Sequence, residues 1–533
     1  MKSTINLSNS LVDELSLKNH YDIVVIGSGV SCSFTMIYYI SLLSKQPLKQ
    51  TVKIAIVEKS GEFWAGIPYG QKNACHSLLI STLKEFLPQA ELEKFKHWLN
   101  ENRSWIFDIL GENESGILAN KWLESHAEEI AAGLWDEIFI PRYIFGLFVK
   151  ERLDRLLQDA TSKGIVTCDL IEADAVDVQQ MQDSYQIEIA QQDRTRSYLI
   201  AKKVVLAIGS PPNKSVDAEI VAQSVDPDNV CYIESMYEPS QVVNIDRISE
   251  VLKQSDTPHH NQVLIVGSNA SALESIYSLM NSTEVNDAIG KFVIISPSGC
   301  FPHRADIPSN YQPVQLNSLK NRDRLTAEEI LIAVQKDVDN ALAQNETIGS
   351  IYEAISKGMI EALSQLIPSE QKLFVSIYGV EIGKLQRRAG AEYLDVVDQL
   401  IKAGKLEFVR GKFLKTLKLP FGGSGFEYAD DNTQEKKIFA TPVKIVINCS
   451  GFQDLNNSSS TLINNLIRRG ICTPNESNRG FEVNENFESN KNFYLIGPMI
   501  AGNISSHFKV WHAESMHRII YLSQILAEIL AQS

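Results

Sequence analysis

The stretch Tyr21 to Glu58 constrains this chain more than any other. Tyr21-Asp22-Ile23-Val24-Val25-Ile26 is a short apolar run rich in β-branched residues, which predicts a buried strand. It runs straight into Gly27-Ser28-Gly29-Val30-Ser31-Cys32, and Phe34 to Leu43 is then apolar and long enough for a helix. A second apolar run, Val52 to Val57, ends in Glu58 and Lys59. Strand, glycine turn, helix, strand and acid, in that order, predict a βαβ unit that binds a dinucleotide. Gly27 permits the tight turn, and Gly29 lets backbone approach a pyrophosphate seated on the helix N-terminus. Glu58 would accept hydrogen bonds from the adenosine ribose. Cys32 stands where a third glycine is usual, so the helix is expected to pack on the strand over a small thiol.

A second unit of the same kind is expected from Gln262 to Ser296. The strand Val263 to Val266 feeds Gly267-Ser268-Asn269-Ala270-Ser271, an apolar helix, and the next strand, Lys291 to Ser296. Asn269 takes the place of the middle glycine. Asparagine tolerates positive φ better than most residues, so the turn is expected to survive that way, with the side chain crowding a pyrophosphate. No acid follows the second strand; Ser296, Ser298, His303 and Arg304 do. That edge favours a 2′-phosphate, hence NADPH over NADH.

The remaining chain is read against these two units. Residues 1–20 read as a polar leader, 21–215 as the first part of one nucleotide domain, and 216–455 as a second. Residues 456–533 return to the first domain and end in a long helix, which Ser505 or Ser506 is expected to cap. Ile165 to Leu199 alternates apolar and polar residues, predicting an antiparallel excursion. Lys203 to Gly209 returns as a buried strand ending in a glycine turn. A strongly helical block, about 322–403, interrupts the second domain and is expected to serve as a cap or substrate region; within it Arg387-Arg388 is expected on a solvated helix face. Arg142 heads an amphipathic helix, where its charge opposes the dipole, so a substrate or cofactor contact is a competing expectation to a surface ion pair.

Composition excludes several classes. A net charge of −15 over 533 residues argues against nucleic acid and anionic membranes as partners. The seven cysteines are scattered without a C-x-x-C, which excludes a dithiol reductase site, and none has zinc spacing. No apolar run reaches about 18 residues, and the leader lacks a signal pattern, so a cytoplasmic location is expected.

Six short segments then carry a resemblance. They are the glycine loop at 27–32 with Glu58; Gly66-Ile67-Pro68-Tyr69 followed by His76-Ser77-Leu78-Leu79; Ile140-Pro141-Arg142-Tyr143; Leu206-Ala207-Ile208-Gly209; Gly267 to Glu274; and Leu495-Ile496-Gly497-Pro498. In this order the chain resembles the two-dinucleotide-binding-domain flavoproteins, in particular bacterial FAD/NAD(P)-binding proteins of the class B monooxygenase type, which include N-hydroxylating enzymes. The resemblance implies an α/β fold with two Rossmann-like domains, one for FAD and one for NAD(P), and an inserted helical substrate region. By it, Gly27 to Cys32, Glu58, Lys59, Gly209, Gly497 and Pro498 would surround FAD, with Leu79, Ser81 and Arg142 towards the flavin ring. Gly267, Asn269, Ser271, Ser296 and Arg304 would meet NADPH. His507, Trp511 and His512 are expected on the final helix as candidates to line a pocket, with core or surface packing the competing expectation for at least two of them. The implied activity is NADPH-dependent monooxygenation of a small molecule. A flavin reductase that does not insert oxygen, or a non-catalytic FAD-binding module, are the alternatives.

Overall fold

The computed structural model describes residues 19–47, 50–112, 116–216, 230–254, 261–305, 318, 325–420, 423–511 and 515–532; the leader, save its last two residues, lies outside them. The first sheet grows from the first βαβ unit. Strands β1 (His20–Ile26), β2 (Val52–Glu58) and β3 (Val166–Glu172) run parallel in that order, and helix α1 (Val30–Leu43) makes the crossover. Helix α2 (Arg142–Ser162) leads into β3. The pair β4 (Asp174–Gln180) and β5 (Tyr185–Ala190) is antiparallel, as expected, and delivers β6 (Arg196–Leu206) antiparallel to β5 and parallel to β1. β3 departs from the expected excursion: its apolar run pairs in parallel with β2, whose edge was open.

The second sheet contains β7 (Cys231–Ile233), β8 (Gln262–Val266) and β9 (Lys291–Ser296), with helix α3 (Ala270–Asn281) after β8. A short parallel pair, β10 (His303–Arg304) and β11 (Arg388–Ala389), brackets the helical block. That block includes α4 (Ala327–Ala343) and α5 (Ile348–Gln365), each opened by a threonine capping box, at Thr326 and Thr347. Helix α6 (Ala391–Lys402) follows β11. The sheet closes with β12 (Leu406–Lys418), β13 (Ser424–Asp430), β14 (Lys436–Val443) and β15 (Ile445–Asn448), in the order β14-β13-β12-β9-β8-β15-β7. The apolar runs Leu406 to Val409, the start of β12, and Val443 to Ser450, which contains β15, are legible in sequence; β14 is largely exposed, so it carries no apolar stripe to read.

The chain then rejoins the first sheet through β16 (Glu488–Asn490) and β17 (Phe493–Leu495), with β17 parallel to β6. A two-strand hairpin, β18 (Asn503–Ile504) and β19 (Lys509–Val510), precedes the last helix, α7 (Met516–Gln532). The final helix therefore begins later than the serines at 505–506. The Asn503 amide donates to the Phe481 and Ile500 carbonyls, and the Ser506 amide to Glu485, which holds this stretch as a hairpin. α7 packs along α1, and the Ser523 hydroxyl donates to the Ser31 carbonyl at 3.3 Å. Sheet and neighbouring helices bury α1 on nearly every side, which is why its sequence is apolar all round.

The helical block has its own core, including Val334, Ile351, Ile355 and Phe374, and Trp511 from the returning chain belongs to it. A π-helical turn spans Phe374–Tyr378. The Arg479 guanidinium donates to the Val375 and Ser376 carbonyls there and to the Trp511 carbonyl, tying the block to the first domain's C-terminal loops. Among the described residues no helix is long and apolar enough to cross a membrane.

Candidate functional site

Four strand ends of the first sheet converge on one edge. β1 ends in Gly27, β2 in Glu58, β6 is followed by Gly209, and β17 by Gly497-Pro498. Gly27 has φ +92, and a Cβ there would lie 2.5 Å from the Ala207 carbonyl oxygen, so the turn demands glycine. Gly29 is the N-cap of α1, with φ −72 and no side-chain cap on the helix. A Cβ at Gly29 would meet only the Gly66 Cα, at 3.8 Å. Gly497, at φ +80, approaches the same helix start: a Cβ there would fall 2.7 Å from the Ser31 hydroxyl.

The loop after β2 is laid against this turn. The Trp64 amide donates to the Ser28 carbonyl at 2.9 Å, and the Ser33 hydroxyl to the Trp64 carbonyl at 2.7 Å. Gly66, with φ +64, sits so close that a Cβ would be 3.0 Å from the Gly29 Cα. The paired glycines 29 and 66 were separate clues in the sequence; their contact is a tertiary fact. The Glu58 carboxylate accepts from the Ser28 amide and hydroxyl on one oxygen and from the Ser60 amide and hydroxyl on the other, at 2.8–3.2 Å. Two of these four donors are rotatable hydroxyls, which can turn aside for ribose hydroxyls. Cys32 is buried on the first turn of α1, where burial pushes its thiol pKa up, and Lys59 is exposed. An uncapped helix N-terminus over a glycine that lacks Cβ, beside an acid at the second strand end, fits the diphosphate and ribose of FAD.

The second sheet repeats the arrangement with one change. Gly267 takes φ +111, and a Cβ there would meet the Cys449 carbonyl. Asn269 does not adopt positive φ as expected. It sits at φ −86 as the N-cap of α3, because the reversal is completed at Gly267 and the next positions need only extended backbone. The Ser268 and Ser296 hydroxyls meet at 2.9 Å, with Ser298 beside them at 3.2 Å, so the end of β9 lies against the glycine turn. Arg304 does not join them: its guanidinium is held by Asp395 at 2.6 Å and Asp398 at 2.8 Å on α6.

Arg142 connects the two halves. It opens α2, donates through Nε to the Leu78 carbonyl at 2.7 Å, and forms an ion pair with Glu274 on α3. The Tyr237 hydroxyl donates to the other Glu274 oxygen. Burial alone would lower the Arg142 pKa; the Glu274 carboxylate together with the Tyr393, Tyr237 and Tyr69 side chains outweighs it and keeps the guanidinium charged. The expected contact with substrate or cofactor thus gives way to a buried ion pair, which neutralises the charge at the helix start. Around it, Gln241 accepts from the Ala74 amide and the Ser77 hydroxyl, and the Tyr393 hydroxyl bonds to the Leu78 backbone. Leu79 is buried in the core, its amide on the Ile140 carbonyl at 2.9 Å, and Ser81 is half-buried just beyond.

His76 belongs to this seam, with Nδ1 3.1 Å from the Asn281 amide. Burial pushes its pKa down from 6.5 to about 4, so it is neutral in the folded chain. The unfolded chain binds the proton first as pH falls. Stability should therefore be intact above pH 6.5 and decline by about 3 kcal/mol between pH 6.5 and 4. Denaturant midpoints measured across that window should show a shallower decline in His76→Gln.

The remaining expected site residues lie elsewhere. His507 is exposed in the β18–β19 hairpin, and Trp511 is buried edge-on against Phe374 at 5.7 Å; neither is on a helix, and His512 lies outside the described residues. Arg388 is not on a solvated helix face: its guanidinium lies 3.6 Å from the centre of the Tyr352 ring and pairs with Glu85 at 3.5 Å. Glu274 was missed as a functional position. A single acid on an otherwise apolar helix, one turn past a nucleotide turn, was the available signal.

Two sheets, each with a parallel core and with a glycine turn and a helix start at its edge, make an α/β fold with two Rossmann-like units. Residues 24–211 match the FAD-NAD(P)-binding family model. An uncharacterized protein of Mycobacterium tuberculosis is 29% identical over 516 residues, covering 96% of each chain. The fold is shared with the FAD-bound cadaverine monooxygenase of the desferrioxamine pathway from Erwinia amylovora: TM-score 0.53, 12% identity, covering 96% of this chain and 95% of that one. It is also shared with the reduced form of ornithine hydroxylase from Pseudomonas aeruginosa: TM-score 0.52, 12% identity, covering 96% and 99%.

Proposed function

We propose that the protein is an FAD-dependent oxidoreductase, an NADPH-dependent monooxygenase that N-hydroxylates a small primary amine. The observation that carries the reading is the uncapped start of α1 over Gly29, with Glu58 at the neighbouring strand end and Gly497 closing on Ser31. FAD bound there would supply two-electron redox chemistry, with reduced nicotinamide as hydride donor and oxygen as acceptor.

The chain's own residues bind and enclose. Gly29 and the first-turn amides would hold the diphosphate, and Glu58, released by the Ser28 and Ser60 hydroxyls, the ribose. The Trp64–Gly66 loop and the Gly497-Pro498 turn close over the helix start. Arg479 and Trp511 fasten the helical block to the loops that follow Gly497-Pro498, so that block is positioned to exclude water from the reacting face. The sequence has no C-x-x-C, which separates this reading from disulfide reduction. The likeness to amine-hydroxylating enzymes supports an amine substrate through the fold.

The test is direct. The purified protein should show flavin absorption bands, and NADPH should drive oxygen uptake stoichiometric with hydroxylamine product on one of a panel that includes cadaverine and ornithine. NADPH oxidation that yields hydrogen peroxide without product for every amine would favour the reductase alternative. A protein that takes up no flavin from added FAD would reject the proposal.

A further inference from the structure

The two helix starts that face the nucleotide edges differ in whether a side chain caps them. At α1 the N-cap is Gly29, and no side chain caps the first turn. At α3 the N-cap is Asn269, and its amide is fully engaged within the protein. Oδ1 accepts from the Ser271 amide at 3.1 Å and from the Ser271 hydroxyl at 2.6 Å, while Nδ2 donates to the Cys449 carbonyl at 3.1 Å. The Ser271 amide is a first-turn donor of the kind a βαβ fold offers to a pyrophosphate. The backbone at Asn269 is relaxed, so neither turn geometry nor strain explains an asparagine there.

We propose that Asn269 is a built-in competitor for the dinucleotide pyrophosphate, so that the second site takes NADPH only when this side chain releases Ser271. The inference rests on the nucleotide reading of the second domain and specifies how tightly that site holds its ligand. Turning Asn269 aside breaks three hydrogen bonds that the incoming phosphate only partly replaces; the Cys449 carbonyl loses its donor. The consequence is a nucleotide that is held loosely and exchanges readily, while the glycine-lined first site retains its own. A carboxamide in this position also shields the uncapped helix end when the site is empty, which glycine would not do.

Calorimetric titration with NADP+, which binds without turnover, tests this on the full-length protein. Asn269→Gly should bind NADP+ roughly five- to tenfold more tightly than the native chain, the range one net intramolecular hydrogen bond commands. Glycine is itself an acceptable N-cap, so the fold should persist. Asn269→Asp keeps the cap, adds a negative charge and should bind more weakly than the native chain. Adenosine 2′-phosphate, which carries no pyrophosphate, should bind both the native and the glycine chain alike. Equal or weaker NADP+ binding by Asn269→Gly would overturn the proposal, as would an equal gain for adenosine 2′-phosphate or no NADP+ binding by any variant. Calorimetry reads the comparison whether or not flavin is present, so a protein without flavin would reject the oxidoreductase reading and leave this result decisive.

Discussion

Replacing Glu274 by alanine is expected to lower stability by about 3–5 kcal/mol, the cost of leaving one member of a buried ion pair without its partner. Arg142 and Glu274 are respectively 11% and 4% exposed at the side chain, so water cannot substitute for the lost carboxylate. Tyr237 would lose its acceptor at the same time. Because the pair bridges α2 of the first domain and α3 of the second, the damage should appear as separation of the two halves. Denaturant unfolding followed by two probes, flavin release and far-UV circular dichroism, should show one transition in the native protein and two in the variant. Changing both partners together, Arg142→Met with Glu274→Leu, removes both charges and should recover much of the loss. A single unchanged transition in Glu274→Ala would mean that the other seam bonds, such as Gln241 to Ala74 and Ser77, suffice without the ion pair.

The second large effect separates two glycines in the same turn. Gly27→Ala should fail to accumulate as folded protein, because its Cβ would overlap the Ala207 carbonyl at 2.5 Å and the backbone sits at φ +92. Gly29→Ala meets only the Gly66 Cα, at an ordinary 3.8 Å, with φ −72, so the apoprotein should fold. Its methyl group would nevertheless stand where a diphosphate must approach backbone. FAD affinity should drop by about tenfold or more, a loss of roughly 1.4 kcal/mol. Equilibrium dialysis against FAD, beside a thermal unfolding curve of the apoprotein, distinguishes the two outcomes. Retained flavin in Gly29→Ala would place the diphosphate somewhere other than the start of α1.

What became visible only in three dimensions has a common cause. The glycine turn at 27–29 and its copy at 267–271 were legible because strand, turn and helix are consecutive, and each constraint acts within a few residues. Asn269 shows the limit of that logic. Its residue type suggested a positive φ, whereas the Cys449 carbonyl, brought alongside by β15, gives its amide a bonding partner and a capping role. Trp511 and Arg388 likewise owe their positions to partners distant in sequence: Phe374 in one case, Tyr352 and Glu85 in the other.

Two βαβ units with glycine turns, a helical block inside the second, and a return of the chain to the first sheet were all written in the local pattern of residues. Those features follow from apolar periodicity and glycine spacing, which are local properties of a polypeptide. Which charges neutralise one another across the seam, which aromatic rings are core, and which helix start carries no side-chain cap were settled by packing in three dimensions. Such choices depend on groups far apart in sequence meeting in a low-dielectric interior, where an unpaired charge or donor is costly enough to fix the pairing.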